Sequence, residues 1–239
     1  MMVTSKQFTL VAVQTAIFTP NHSEFAAGKS IGAILRKFPD RFQGEMQALP
    51  MPEEVPPEIP RAVLQSSDKT LKVEAGPARM NCHWSRPKDG ESPDLSTVVA
   101  RCCEVQEQYV REMSVRIGRL GLVLTRICRL ENPAQTLVQR FCNAESQREP
   151  FNRSASFEIH NHKEYTPRRE GLAFKINSWV RCKTATLQGD EGPIILVEQD
   201  LNTLAAEIQQ RQFEPDQIPQ FFQAAAVEAE EIFRKYFPE

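Results

Sequence analysis

Hydrophobic positions along this chain follow either the alternation typical of strands or the spacing typical of helices, and segments of the two kinds come in a repeated order. Residues 8–18 are rich in β-branched and aromatic side chains and end at a Thr-Pro pair, which predicts a strand closed by a turn. Residues 27–38 carry apolar side chains at helical spacing, with Ser23 as the candidate N-cap and Pro39 as the stop signal. The chain is therefore expected to open with a strand followed by a helix.

A proline-rich stretch separates this helix from the next strands. Residues 44–60 hold five prolines among glutamates, and each proline fixes φ and removes a backbone donor. We expect an extended, polyproline-like arm there rather than a helix or a central strand. A meander of three strands is predicted behind it, at residues 61–65, 70–75 and 78–84. A helix capped by Ser92, with Pro93 at its first position, follows and runs to Met113.

The second half of the chain repeats this order. An apolar stretch predicts a strand over residues 120–127, and Asn132 with Pro133 predicts the start of a helix. Three further strands are predicted at residues 156–162, 172–187 and 193–198. A short helix is expected from about Asn202, and a long one is expected over residues 217–236, where apolar side chains form one continuous stripe.

The order β-α-β-β-β-α thus occurs twice, over about residues 1–115 and 116–239, and it predicts an internal structural duplication. Strands linked by hairpins need no crossover, and each amphipathic helix has one apolar stripe to bury. We therefore predict a single α+β domain spanning residues 1–239, in which the two halves build one large, mainly antiparallel sheet with helices on one face. The opposite face of the sheet is expected to be open.

Composition narrows the classes of function. With 239 residues, 41% hydrophobic and 25% charged, the chain is long enough for an ordinary globular core. No apolar run reaches the roughly 18 to 20 residues of a membrane span, and the first residues lack a secretion-signal pattern, so no membrane partner is expected. The six cysteines show no CxxC pair and no zinc-finger spacing, which predicts buried, reduced thiols, no cofactor and a cytoplasmic location. Because the net charge is only -2, any binding surface must be local.

Five segments carry a resemblance to other proteins. They are residues 11–18, the Lys-Phe-Pro-Asp-Arg-Phe stretch at 37–42, and residues 117–127, 194–202 and 218–233. In these segments the chain resembles a sporadically distributed, uncharacterised bacterial family that is defined by a sequence profile. The resemblance implies a cytoplasmic bacterial protein of patchy distribution, of the kind found in mobile or defence-related islands. It implies no established activity and no site residues.

One predicted strand carries a candidate binding surface. Because side chains alternate between the faces of a strand, every second residue from 175 to 183 shares one face. These residues are Lys175, Asn177, Trp179, Arg181 and Lys183. A Trp between basic residues can stack a base and hold its phosphates, and Arg79 on an earlier strand would add to the same face. The competing interpretation is a Lys/Arg-rich solvent face that protects the sheet from edge pairing, and the neutral overall charge favours it.

A second candidate is an H-x-H pair. Glu158, His160 and His162 fall on one face of a predicted strand, and paired histidines can bind zinc. A zinc site needs a third or fourth ligand and the neighbouring Lys163 is cationic, so an exposed polar strand face is the favoured interpretation. An arginine-rich stretch that includes Arg126 is expected to be solvated at the edge of its elements.

No catalytic signature is present in the sequence. The preferred interpretation is a non-enzymatic binding or adaptor protein that acts as a protein-interaction subunit of a multi-component bacterial system. The open sheet face or the proline-rich arm would engage the other protein. The first alternative is a nucleic-acid-binding module that uses Arg79, Lys175, Trp179, Arg181 and Lys183. The second alternative is a metal-dependent enzyme centred on His160 and His162, with Glu158 as a further ligand.

Overall fold

The computed structural model describes residues 3–20, 25–50, 52, 54–88, 93–187 and 192–239, and within these ranges nine strands form one antiparallel sheet. The strands are β1 Thr9–Phe18, β2 Met46–Ala48, β3 Ala62–Gln65, β4 Leu71–Ala75, β5 Arg79–Ser85, β6 Arg119–Arg129, β7 Glu158–Tyr165, β8 Ile176–Thr186 and β9 Pro193–Thr203. The helices are α1 Ala27–Leu35, α2 Leu95–Met113, α3 Pro133–Phe141, α4 Ala144–Arg148 and α5 Gln217–Tyr236. These elements confirm the α+β class predicted from the sequence.

The central strands are β1 and β6, and the order β2-β3-β4-β5-β1-β6-β9-β8-β7 repeats itself outward from them. In the first half, which is the chain up to residue 115, β5, β4 and β3 follow β1. In the second half β9, β8 and β7 follow β6 in the same way. All neighbouring strands are antiparallel. Within each outer trio the strands follow each other in sequence, so they pair without a crossover. The matching order fits the predicted duplication, and β2 is an addition to the first half.

The long helices pack on one face of the sheet. Helices α2 and α5 pack against each other, with α2 over β1 and β5 and with α5 over β6 and β9. Helix α1 contacts β3, and α3 lies over β8 and β9. The strand side chains beneath the helices are almost fully buried and include Val13, Ile17, Leu122, Leu124 and Val197. Their removal from water in two apolar clusters stabilises the two-layer arrangement.

The proline-rich segment is more folded than predicted. Met46–Ala48 forms β2 and pairs with β3 at one edge of the sheet, because these residues precede the prolines of the segment and keep their backbone donors. Farther along, Ile59 N donates to Pro56 O at 3.0 Å, so the chain turns on itself there. The described residues of this segment are therefore neither helix nor central strand, as predicted, but they are extended only in part, because residues 46–48 pair with the sheet and the chain turns near Ile59.

The start of α2 differs from the prediction in its cap. Asp94 is the N-cap, and its Oδ1 accepts a hydrogen bond from Thr97 N at 2.8 Å. Pro93 therefore precedes the cap and does not occupy the first helical position. The two serines predicted as caps, Ser23 and Ser92, lie outside the described residues.

The end of β9 also differs, because the strand continues past Glu198 to Thr203 and the chain is still extended at Asn202. The short helix expected from about Asn202 begins only at Ala205, as a 3-10 turn over Ala205–Glu207. Leu201, Asn202 and Thr203 are all buried, because this end of β9 pairs with β6 on one side and with β8 on the other. By contrast, the long helix predicted over residues 217–236 is confirmed as α5.

All six cysteines are free thiols, and five of them are buried, namely Cys82, Cys102, Cys103, Cys128 and Cys182. Burial raises the pKa of Cys182 to about 12. A hydrogen bond with Cys102, together with burial, raises the pKa of Cys82 well above its ordinary value. Cys82 and Cys182 therefore stay protonated, and the five buried cysteines pack as small hydrophobic groups. Among the helices of the described ranges, none combines the length and the apolar character that a membrane crossing requires.

Candidate interaction face

The second face of the sheet, which we call the open face, is formed by the strand side chains that alternate with the helix-facing ones. On β1 these include Gln14 and Ala16, and on β6 they include Gly121 and Val123. Both apolar clusters draw their strand side chains from the helix-facing set. Within the described part of the chain, no helix packs on the open face.

Strand register aligns the open-face side chains in rows that cross the sheet. One row, from β5 to β7, contains His83, Gln14, Val123, Asp200, Trp179 and His162. The adjacent row contains Asn81, Ala16, Gly121, Asn202, Asn177 and Glu164. The two central strands contribute only uncharged side chains to these rows. Ionisable and aromatic groups therefore lie to either side of an uncharged centre.

An aromatic stack stands near one end of these rows. The rings of His162 and Trp179 are parallel to within 9°, with centroids 4.2 Å apart. His162 Nε2 donates to Asn177 Oδ1, and the guanidinium carbon of Arg181 lies 5.1 Å from the Trp179 ring centroid. His162 and Arg181 thus contact the indole on the open face, and Asn177 holds the His162 ring in place.

Most of the open-face cations that flank this stack are paired with carboxylates. Arg181 forms a hydrogen-bonded ion pair with Glu198, which lies opposite it on β9. Lys175 Nζ lies 2.8 Å from Glu164 Oε2, and this contact holds the pKa of Glu164 below its ordinary value. The local charge of the second half of the open face is consequently close to balanced.

A similar network occupies the first half of the open face. His83 Nε2 lies 3.2 Å from Glu74 Oε2, and Lys72 Nζ lies 2.5 Å from Glu74 Oε1. The hydrogen bond with His83, followed by that from Lys72, lowers the pKa of Glu74 to about 2. Glu74 therefore remains ionised and neutralises the Lys72 ammonium, while its other oxygen contacts His83.

Two partly desolvated charges lie between the networks. Burial raises the pKa of Asp200, although a hydrogen bond from Asn202 and nearby arginines oppose the rise. Burial also lowers the pKa of Arg119, whose Nε donates to Thr203 O at 3.2 Å. The guanidinium carbon of Arg119 stands 4.5 Å from the ring centroid of Phe18. These charges are fixed by their neighbours and present a defined pattern to solvent.

The structure brings together only part of the residue set predicted to bind nucleic acid. Trp179, Arg181 and Lys183 share the open face of β8, as the alternation predicted. Lys175 precedes β8 and is held by Glu164. Arg79 also faces the open side, but its strand is four positions from β8, which corresponds to about 19 Å. Arg79 is therefore too far away to share one base or phosphate with Trp179.

The metal-site candidates lie on the edge strand β7. Glu158, His160 and His162 stand opposite Lys183, Arg181 and Trp179 on β8. His160 Nε2 is 3.7 Å from Glu158 Oε1, and His162 is engaged in the aromatic stack. Within the residues described by the structure, no three His, Cys, Asp or Glu side chains converge as a metal site. The geometry of β7 is that of a polar strand face in solvent.

Arg126 departs from its expected place in solvent, because it is a helix-facing residue of β6 and only 4% exposed. Its guanidinium donates to Gln199 Oε1 at 2.5 Å and to Glu230 of α5. The guanidinium carbon also lies 4.6 Å from the ring centroid of Phe233. The prediction of a solvated arginine is therefore wrong, since three partners from other elements allow the cation to be buried.

One cleft on the helix side, of about 550 Å³, lies beside the turn between β3 and β4. Asp68 in this turn accepts hydrogen bonds from Ser66 Oγ at 2.5 Å and from Thr70 N at 3.0 Å. These contacts lower the pKa of Asp68 and account for its position. The polar groups of the turn thus serve to close the hairpin.

Comparison with known proteins gives no match to a family model and no match to a curated protein. The resemblance over segments such as 11–18 and 218–233 stays a prediction. The functional conclusion therefore depends on the geometry and the charge distribution of the open face.

Proposed function

We propose that the open face binds another folded protein, and that the chain acts as a non-enzymatic adaptor subunit. The observation that carries this proposal is that basic side chains of the open face contact carboxylates of the same face. Lys72 and His83 contact Glu74, Arg181 contacts Glu198, and Lys175 contacts Glu164. A polyanion is attracted by cations that are free to replace its counterions. A surface of balanced, fixed charges matches a protein partner of mixed charge better.

The dimensions of the open face support this proposal. Nine strands spaced about 4.8 Å apart span roughly 38 Å, and central strands of about ten residues extend roughly 34 Å. A standard protein interface occupies about 800 Å² on each partner. The open face is therefore large enough for a complete interface without any contribution from the helices.

The composition of the face supplies candidate anchors for such a partner. Trp and Arg are the residue types that most often dominate the binding energy of protein interfaces. Trp179 is half-buried and is held by His162 and Arg181 before any partner arrives. Because its side chain is already ordered, less conformational entropy is lost on binding.

The biological setting that we propose is a multi-component bacterial system in the cytoplasm, of the mobile or defence-related kind. Two observations on the chain support this setting. The sequence resembles a bacterial family of patchy distribution, and five of the six cysteines are buried free thiols that suit a reducing compartment. The arrangement of the open face is compatible with a subunit that joins components.

The test is affinity capture from native lysate with tagged wild type, Trp179→Ala and a control, with and without nuclease. Val227→Ser on α5 is a suitable control because Val227 is 47% exposed and belongs to the helix layer. We expect a protein partner that survives nuclease, is recovered at least tenfold less with Trp179→Ala and is unchanged with Val227→Ser. Equal recovery with wild type and Trp179→Ala would refute the role of the open face.

A nucleic-acid-binding function is the second candidate, and the alternation of Trp179 with Arg181 and the exposed Lys183 favours it. The same capture separates the two functions, because binding to nucleic acid would disappear with nuclease. In a direct titration of labelled single-stranded RNA or DNA, it would also weaken steeply as salt is raised. Lys183→Glu would then reduce affinity, whereas it should leave a protein complex anchored by Trp179 largely intact.

A further inference from the structure

The outer edge of β7 offers a second kind of surface, made of backbone rather than side chains. β7 is the last strand of the sheet, and in the described residues no strand pairs with its outer side. Its eight residues pair with β8 without a register shift, and the strand contains no proline. A straight edge of this length presents a row of unpaired N–H and C=O groups that another strand can join.

The opposite edge of the sheet is different. There the edge strand β2 has only three residues, and a turn-rich segment follows it. Very short edge strands are one of the ways in which proteins prevent edge pairing. In the described residues β7 is neither short nor interrupted by proline, and it carries the charged residues Glu158, Lys163 and Glu164 along its edge.

We propose that β7 pairs antiparallel with β7 of a second copy of this chain, centred on His162, so that the two sheets become continuous. In antiparallel pairing the two opposite residues either both direct their backbone groups toward each other or both direct them away, so only registers that pair residues of the same face are allowed. Centring on His162 places His160 opposite Glu164 of the second copy, and the symmetry repeats this contact. An imidazole N–H can donate a hydrogen bond to a carboxylate that lies opposite it, and such cross-strand pairs stabilise strand pairing.

The neighbouring allowed registers are less favourable. Centring the pair on Asn161 would place Glu158 opposite Glu164 of the second copy, and centring it on Lys163 would place two lysines opposite each other. Like charges directly opposite each other destabilise a strand pair. On the helix-facing side, the register centred on His162 sets Ile159 opposite Tyr165 of the second copy, which adds an apolar contact.

The proposed dimer goes beyond the adaptor function, and either can fail without the other. It would bring the two helix layers to the same side of one continuous sheet. It would also place the His162–Trp179 stacks of the two copies next to each other at the junction. The open faces would then form a single surface with twofold symmetry, so that a partner would meet two copies of the same anchor.

The first test is sedimentation equilibrium of the purified full chain over a range of concentrations. We expect a monomer–dimer equilibrium in which His160→Glu raises the dissociation constant at least tenfold, because the introduced carboxylate would face Glu164 of the second copy. The double variant His160→Glu, Glu164→His exchanges the two side chains of the pair and should restore the wild-type constant to within about threefold. Gln47→Glu on β2 is the control and should change nothing, and thermal unfolding verifies that each variant is folded.

The second test fixes the register by oxidative crosslinking. His162→Cys should form a disulfide between copies, because directly opposite Cβ atoms lie about 4.5 to 5.5 Å apart. Glu158→Cys should not, because its two copies would be separated by roughly 27 Å along the strands. A chain that stays monomeric up to its solubility limit would overturn the proposal. So would a dimer whose dissociation constant is unaffected by His160→Glu, or crosslinking of Glu158→Cys in place of His162→Cys.

Discussion

The two halves of the sheet share their strand order but differ at one large buried polar side chain on the helix side of each. In the first half, Gln106 of α2 is fully buried, and neither atom of its amide has a hydrogen-bond partner. In the second half, the buried Arg126 is bound by Gln199, Glu230 and the ring of Phe233. A repeated strand order therefore places side chains at equivalent positions, but it does not determine whether their polar atoms find hydrogen-bond partners.

The energetic meaning of the two sites is therefore different. An unpaired buried amide costs free energy that an apolar side chain of the same shape would not. A buried ion pair is costly to assemble, but removing one partner leaves a buried charge and costs more. Substitutions at Gln106 and around Arg126 should accordingly change stability in opposite directions.

The largest effect is expected for Glu230→Leu, which removes the carboxylate partner of Arg126. We expect the free energy of unfolding to fall by about 3 kcal/mol, at the low end for a buried pair because Glu230 is about one-third exposed. Urea unfolding measures this change, and an unchanged slope would show that the two-state transition is intact.

The neighbouring residue provides a matched control for that experiment. Glu231 pairs with Arg169 at 2.5 Å, but its side chain is 51% exposed. Glu231→Leu should therefore cost at most about 1 kcal/mol. If the two leucine variants lost equal stability, the burial of Arg126 would not be the reason for the effect.

A smaller effect of opposite sign is expected for Gln106→Met. Methionine fills a similar volume without an amide, so stability should rise by about 1 to 2 kcal/mol. Gln108 on the same helix is the control, because its Nε2 donates to Ala33 O at 3.1 Å. Gln108→Met should lower stability by about 1 kcal/mol in the same unfolding assay. A loss of stability in both variants would contradict the contrast.

The smallest effect concerns acid stability and the open face of the first half. The pKa of Glu74 lies near 2 in the folded chain, below its ordinary value, so its ionised form stabilises the fold. This contribution is complete above about pH 4.5 and is lost as the pH falls toward 2. The stability difference between wild type and Glu74→Gln, about 1 kcal/mol at neutral pH after solvent screening, should shrink over that range.

The second half supplies the comparison for this pH experiment. The pKa of Glu164 is also lowered, by Lys175, but this pair is exposed. Solvent screens such a pair more strongly, so Glu164→Gln should change the pH profile less than Glu74→Gln does. If Glu164→Gln changed the pH profile as much as Glu74→Gln or more, the ion pairs of the second half would stabilise the fold more than those of the first.

Much of the fold was predictable because it depends on periods within one segment. The apolar stripe of α5 alone specified residues 217–236, and alternation along β8 placed Trp179 and Arg181 on one face. Errors occurred where polar residues fit an extended strand, as at Asp200 and Asn202, and where residues 46–48 form a short edge strand beside the prolines. In each case a neighbouring strand decided the conformation.

The arrangement of the candidate site was less predictable because it depends on partners from distant segments. The stack of His162 on Trp179 requires the register between β7 and β8, and alternation alone does not fix a register. The separation of Arg79 from Trp179 follows from strand order. The burial of Arg126 requires Glu230 to approach from α5. No local pattern around these residues contains that information.

The junction between the halves has a consequence for the speed of folding. β1 and β6 pair residues far apart in sequence, such as Val13 with Leu124. Closing a loop of on the order of a hundred residues costs more entropy than closing the hairpins within β3–β5 or β7–β9. We therefore expect both meanders to form before β1 and β6 meet, so that Leu124→Ala would mainly accelerate unfolding and hardly slow folding. The centre of the finished sheet would be the last part of it to assemble.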